Sequence, residues 1–164
     1  MDYMDKQPLE HLNDAERHLL IETVPKIALL IAGADGTIDE EEIEWAEKLV
    51  HIRSYAHKES LRAFYGEVEI EMDDDIRAML QRLSKDPEQR QRQLTVEISK
   101  VNAIFPKLPL TYQHKLYNSL RSFARHVAKA GGGILFNLLA IDFQESKLVD
   151  LPMINMPAPL PEDS

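Results

Sequence analysis

Apolar residues recur at intervals of three and four along almost the whole chain and alternating strand patterns are missing, so the sequence predicts an all-α domain. A first helix opens at Asn13-Asp14-Ala15-Glu16, a capping-box pattern, and carries Leu19, Leu20, Val24, Ile27, Leu30 and Ile31 toward a core. Pro25 falls inside it and predicts a kink or a split. After an Asp-Gly turn, Ile43, Ala46, Leu49 and Val50 mark the inner face of a second helix, widened by Trp45 and Ile52 and ending near Ile52 or Ser54. A long third helix over about residues 58–83 is interrupted in pattern by Gly66 and stopped by Ser84-Lys85-Asp86-Pro87. A fourth spans about residues 87–104 and ends before Pro106 and Pro109. A fifth spans about residues 112–130 with Leu116, Leu120, Phe123 and Val127 on one face. A short last helix starts at Asp142, where Asp142-Phe143-Gln144-Glu145 repeats the capping pattern. Four prolines in residues 152–164 exclude a regular helix there and suggest an extended strap or a disordered end.

The two ends of the chain resemble each other faintly. Ile31-Ala32-Gly33-Ala34-Asp35-Gly36-Thr37 aligns with Val127-Ala128-Lys129-Ala130-Gly131-Gly132-Gly133. Ile38-Asp39-x-x-Glu42 answers to Ile141-Asp142-x-x-Glu145 across an apolar insertion at residues 134–140. The implied plan is a single-domain helical bundle built around two helix-turn-helix units. It divides into an N-terminal arm (1–12), a helical domain (13–151) and a Pro-rich tail (152–164).

Composition narrows the function classes. With 164 residues, 44% apolar and 29% charged, the chain is long enough for one core that buries roughly 70% of its unfolded surface. There is no cysteine, which removes disulfides, thiol chemistry and zinc-thiolate sites and is consistent with a reducing compartment. The first residues lack a basic and an apolar region, and the longest apolar run, residues 27–34, has only eight residues, so neither a secretory leader nor a membrane span is expected. A net charge of −9 repels phosphate backbones; nucleic acid is not expected as a partner, whereas cations and basic protein surfaces are.

The densest chemistry lies in the turn from Ala34 to Ile43. Gly36 supplies a positive-φ bend, and Asp39 with Glu42 forms an Asp-x-x-Glu capping box. Asp35, Asp39 and Glu42 are the candidate metal ligands, for calcium or another divalent cation. Laid on an EF-hand loop they fall on the fifth, ninth and twelfth positions, but the first and third fall on Ile31 and Gly33. With the Thr37 carbonyl, about five oxygens result where calcium takes roughly six to eight, so affinity should be low unless an acid of residues 67–75 reaches in. The competing reading is that acids in a first helical turn stabilise its dipole, by roughly 0.3 to 1 kcal/mol each, with no ion at all.

Other features read more plainly. Six acids within residues 67–75 form a solvated helix face whose like charges need nearby cations. Arg121, Arg125 and Lys129 form a basic stripe, expected to pair with acids of the same domain or to dock an acidic partner. The six histidines are scattered and no Glu-x-x-His occurs, so the spacing of a di-iron carboxylate bundle is missing. His-Glu-x-x-His, Gly-x-Ser-x-Gly and the phosphate-binding glycine motifs are also missing; no enzyme is expected. Gly131-Gly132-Gly133 and the apolar residues after it either plug the core or present a patch to a partner.

In the Ala34–Ile43 turn and the later glycine turn, the chain resembles the TerB-like (tellurite resistance) family loosely over residues 13–154. It is similar to a long, little-characterised branch of that family in Ile52-Arg53-Ser54-Tyr55, in the segment from Ser119 to Ala130, and in Asp150-Leu151-Pro152-Met153-Ile154. The resemblance implies an all-helical cytoplasmic protein linked to stress or metal-oxyanion resistance, with acidic turns that bind divalent cations and no established catalytic activity. By position Asp35, Asp39 and Glu42 match the acidic turn of the first unit, while Gly131 stands where the second unit's Asp is expected. Two readings follow: a non-enzymatic module that binds protein partners and is modulated by a divalent cation, or a purely structural domain whose acids are all helix caps. A metal-dependent hydrolase is the remote third.

Overall fold

Asn13 closes the reciprocal cap its sequence predicts, its Oδ1 accepting from the Glu16 amide at 2.8 Å while Glu16 Oε1 accepts from the Asn13 amide at 3.0 Å. From this cap α1 (Asp14–Ala32) runs without a break. The computed structural model describes residues 8–57, 59–130 and 148–162, and among these every regular element is helical. Four more α-helices follow: α2 (Glu40–Ala56), α3 (Glu59–Arg82), α4 (Pro87–Ser99) and α5 (Leu110–Ala130). The Asp142 helix, the Gly131–Gly133 turn, the apolar segment 134–140 and the second-unit acids Asp142 and Glu145 lie outside the described residues.

Helix α1 is the central post and packs against each of the other four. Its second half is buried on every side, from Leu20 and Ile21 through Thr23 to Ala32, as a helix surrounded by helices must be. Pro25 therefore does not split it. A proline inside a helix costs roughly 3 kcal/mol through its missing amide and ring clash. Here apolar burial on both sides, including Val24, Ile27, Leu29 and Leu30, offsets that cost. Lys26, also in the buried stretch, reaches Glu22 and Glu97 at 3.4 Å each, so its charge enters the interior paired.

Helix α2 runs two residues past Ser54, and α3 runs straight through Gly66. Helix α4 is shorter than its apolar pattern. After Ser99 the chain tightens into 3₁₀ turns at Lys100–Ala103 and Phe105–Lys107, which carry Val101 and Phe105 inward before Pro109. The core is one cluster that takes Leu9 and Leu12 from the N-terminal arm and Leu151 and Ile154 from the other end. Of the two forms expected for the Pro-rich tail, the strap is found. Asn102 holds it from both sides, donating to the Met153 carbonyl at 2.9 Å and accepting from the Asn155 amide at 2.8 Å, and His114 Nε2 donates to the Ala158 carbonyl.

Candidate functional site

The turn between α1 and α2 is built by its own backbone. Gly33 ends α1 by donating to the Leu29 carbonyl at 3.0 Å, and Gly36, at φ 102°, donates back to Gly33 at the same distance. Positive φ at Gly36 is the conformation that the Asp-Gly sequence predicts. The Asp35 Oδ1 accepts from the Thr37 amide at 3.1 Å, and Asp39 Oδ1 accepts from the amides of Glu41 at 2.9 Å and Glu42 at 3.4 Å. From α4, Arg90 reaches over to donate to the Gly36 carbonyl at 3.2 Å. Gly33 leaves the room for it, because a Cβ there would stand 3.1 Å from Arg90 Nη2.

Glu42 departs from the predicted capping box. The Asp39 amide that its carboxylate should accept from donates instead to the Ala32 carbonyl at 3.2 Å, which stitches the start of α2 to the end of α1. Released from that role, Glu42 turns inward and is only 3% exposed. Its Oε2 is fully buried and meets no hydrogen-bond partner among the described residues. Burial first, then the carboxylates of Asp39 and Asp35, push the Glu42 carboxyl up to about 8. This environment favours the protonated form of the side chain.

The expected donors from α3 do not arrive. Glu67 pairs with Arg17 and Asp73 with Arg77, while Glu69 contacts the His51 ring and Glu71 the His18 ring; Asp75 Oδ2 is buried with no hydrogen-bond partner among the described residues. Among the described residues no three or more His, Asp or Glu side chains form a group arranged to hold a metal ion. The oxygen-only donor set of Asp35, Asp39 and Glu42 suits a hard cation such as calcium. Two of its six carboxylate oxygens, Asp35 Oδ1 and Asp39 Oδ1, are engaged with backbone amides, and Glu42 Oε2 is the one that is buried without a partner among the described residues. Trp45 follows one turn later, 36% exposed, beside Glu41, Glu44 and Lys48 in a cleft of about 500 Å³ between α2 and α5.

A second constellation escaped the sequence pattern because its members lie far apart in the chain. Arg53 of α2, 7% exposed, donates to the Tyr65 hydroxyl at 2.9 Å, to the Ser119 carbonyl and hydroxyl at 2.8 and 2.9 Å, and to the Ser122 hydroxyl at 3.0 Å. Ser119 Oγ also lies 2.6 Å from the Tyr65 hydroxyl and 3.0 Å from His57 Nε2. The basic stripe of α5 is answered by Asp150, which accepts from Arg121 Nη2 at 3.3 Å and from Arg125 Nη2 at 2.7 Å. No local pattern marks this cluster, because Arg53 lies 66 positions from Ser119 and 69 from Ser122 in the chain.

The fold and the turn define an all-α helical bundle with a buried acid at a helix-turn-helix junction. No protein-family model, curated protein or solved structure matches the chain. No helix among the described residues is long and apolar enough to cross a membrane.

Proposed function

We propose that this chain is a non-enzymatic, TerB-like helical binding module of the cytoplasm, associated with stress or tellurite resistance, which recruits a protein partner. Its acidic turn couples the α1–α2 junction to protons and, by displacement of the Glu42 proton, to a divalent cation. The observation that carries this reading is the buried, unpartnered Oε2 of Glu42 beside the carboxylates of Asp39 and Asp35. A buried carboxyl with acid neighbours and no ion pair is stable as the acid; a cation makes the ionised form tolerable by supplying the missing positive charge. Cation affinity should therefore rise with pH. Titration of calcium, magnesium and manganese followed by Trp45 fluorescence and by melting temperature tests this. The expected result is a saturable response that is larger at pH 8.5 than at pH 6. No response to any of the three ions removes the cation from the account.

The purely structural reading has its own support: the cap bonds of Asp35 and Asp39 are complete without an ion. Affinity capture of partners with and without chelator separates the two. Capture that changes with chelator favours the modulated module, and capture indifferent to it favours the structural domain.

A further inference from the structure

On the opposite end of α2 from the acidic turn, a cleft of about 330 Å³ opens between the start of α3, one face of α5 and the tail. Its polar lining includes Lys115, Asn118, Ser119 and Ser122 of α5, together with Thr111 and His114 of the same helix and His57 from the end of α2, while Leu160 of the tail forms one wall. Among the described residues no Asp or Glu lines it, in a chain whose net charge is −9. Beneath its floor lies the Arg53 guanidinium. Among the described residues it is buried and bonded only to neutral oxygens of Tyr65, Ser119 and Ser122, and no carboxylate of these residues pairs with it. Buried cations are ordinarily paired. Lys115, half-buried at the rim, likewise makes no ion pair with a described residue.

The hydroxyl of Ser122 sharpens the point. Its oxygen accepts from Arg53 Nη2, and its neighbour His126 Nδ1 must carry a hydrogen because it lies 2.8 Å from the Ser122 carbonyl, an acceptor only. That ring nitrogen cannot then accept from Ser122 at 3.4 Å, so the hydroxyl hydrogen is left to donate elsewhere. From these observations we infer that the cleft is an anion-binding site for the phosphate group of a small phosphate monoester, held by Lys115 and Ser122 and supplied with countercharge by Arg53. Phosphate fits better than carboxylate. The guanidinium fork is consumed internally, so the cleft offers separate point donors, an ammonium and hydroxyls, rather than a planar bidentate pair. The volume matches a small ligand.

The test is an amide-resolved NMR titration of the full chain with inorganic phosphate and with glycerol 3-phosphate, at ionic strength held constant with chloride. The expected result is saturable shifts confined to Ser119, Ser122, Lys115 and His57, tighter for the monoester, and absent with chloride alone. Lys115→Gln should weaken binding about tenfold and Ser122→Ala severalfold, while Lys100→Gln, an equal charge change at an exposed distant site, should leave it unchanged. Equal weakening by Lys100→Gln, equal binding of acetate, or no saturable shift with either phosphate overturns the assignment. Lys115→Gln leaves the Arg53 network that packs α2 on α5 intact, whereas Ser122→Ala also removes its Nη2 bond, so a loss of binding in Lys115→Gln with an unchanged spectrum elsewhere reports on the site.

Discussion

At the scale of single residues, Glu42 carries the account. Its folded-state value of about 8 lies above the ordinary glutamate value of 4.5, so the native state keeps a proton that the unfolded chain releases between those values. Stability must then fall as pH rises from about 4.5 to about 8 and level off above, by roughly 2 to 4 kcal/mol on a scale of about 1.4 kcal/mol per pH unit. Glu42→Gln keeps the shape and discards the charge. Urea denaturation should find the variant close to wild type at pH 5 and more stable by roughly that amount at pH 8.5; parallel pH profiles for the two proteins would contradict the assignment. Asp39→Ala has a different signature, a loss of roughly 1 to 2 kcal/mol at pH 5 that is partly offset at pH 8.5, because it removes a cap that accepts from two amides and also a carboxylate that disfavours ionised Glu42. The Asp-Gly bend and the Asp39 cap were legible in the sequence since both are local. Glu42 was misread as the reciprocal cap because nothing within three residues reveals that the Ala32 carbonyl takes the Asp39 amide first.

At the scale of elements, helical periodicity located every described α-helix, and the departures have local causes. Helix α1 passes Pro25 because it is buried among four neighbours, information that no single helix contains. Helix α4 gives way to 3₁₀ turns ahead of Pro106 and Pro109, although its apolar spacing continues. Helix α3 passes Gly66, where an added Cβ meets no atom within 4 Å. Gly66→Ala should therefore raise stability by roughly 0.5 to 1 kcal/mol through the entropy of the unfolded chain. Thermal melts check this, and a lowered melting temperature would mean that the glycine serves a contact or a motion instead. The acids of α3 also show why a like-charged run persists in a helix: Arg17 and Arg77 pair with two of them, and the rings of His18 and His51 contact two more.

At the scale of the molecule, α5 gathers what is distant in sequence. Arg53 ties α2 to it, and Asp150 ties the start of the tail to Arg121 and Arg125. Such pairs join residues tens of positions apart, so periodicity could name the stripe on α5 but not its partner. The Arg125 hydrogen bond, with help from Arg121, holds the Asp150 carboxyl below the usual aspartate range. Its contribution is therefore complete above the ordinary aspartate value and is lost as pH falls through the lowered one. Asp150→Asn should loosen the strap locally. Hydrogen exchange is expected to quicken at the amides of Leu151 and Ile154, which close the turns there, while the buried amides of α1 keep their protection. Unchanged exchange at Leu151 and Ile154 would show that Asn102 and core burial hold the strap without the ion pairs.

The most direct measurement follows the Glu42 carboxyl carbon by NMR through a pH titration, with and without calcium. The account predicts a midpoint near 8 that moves to lower pH when calcium is present. A midpoint near the ordinary glutamate value, unmoved by calcium, would contradict it.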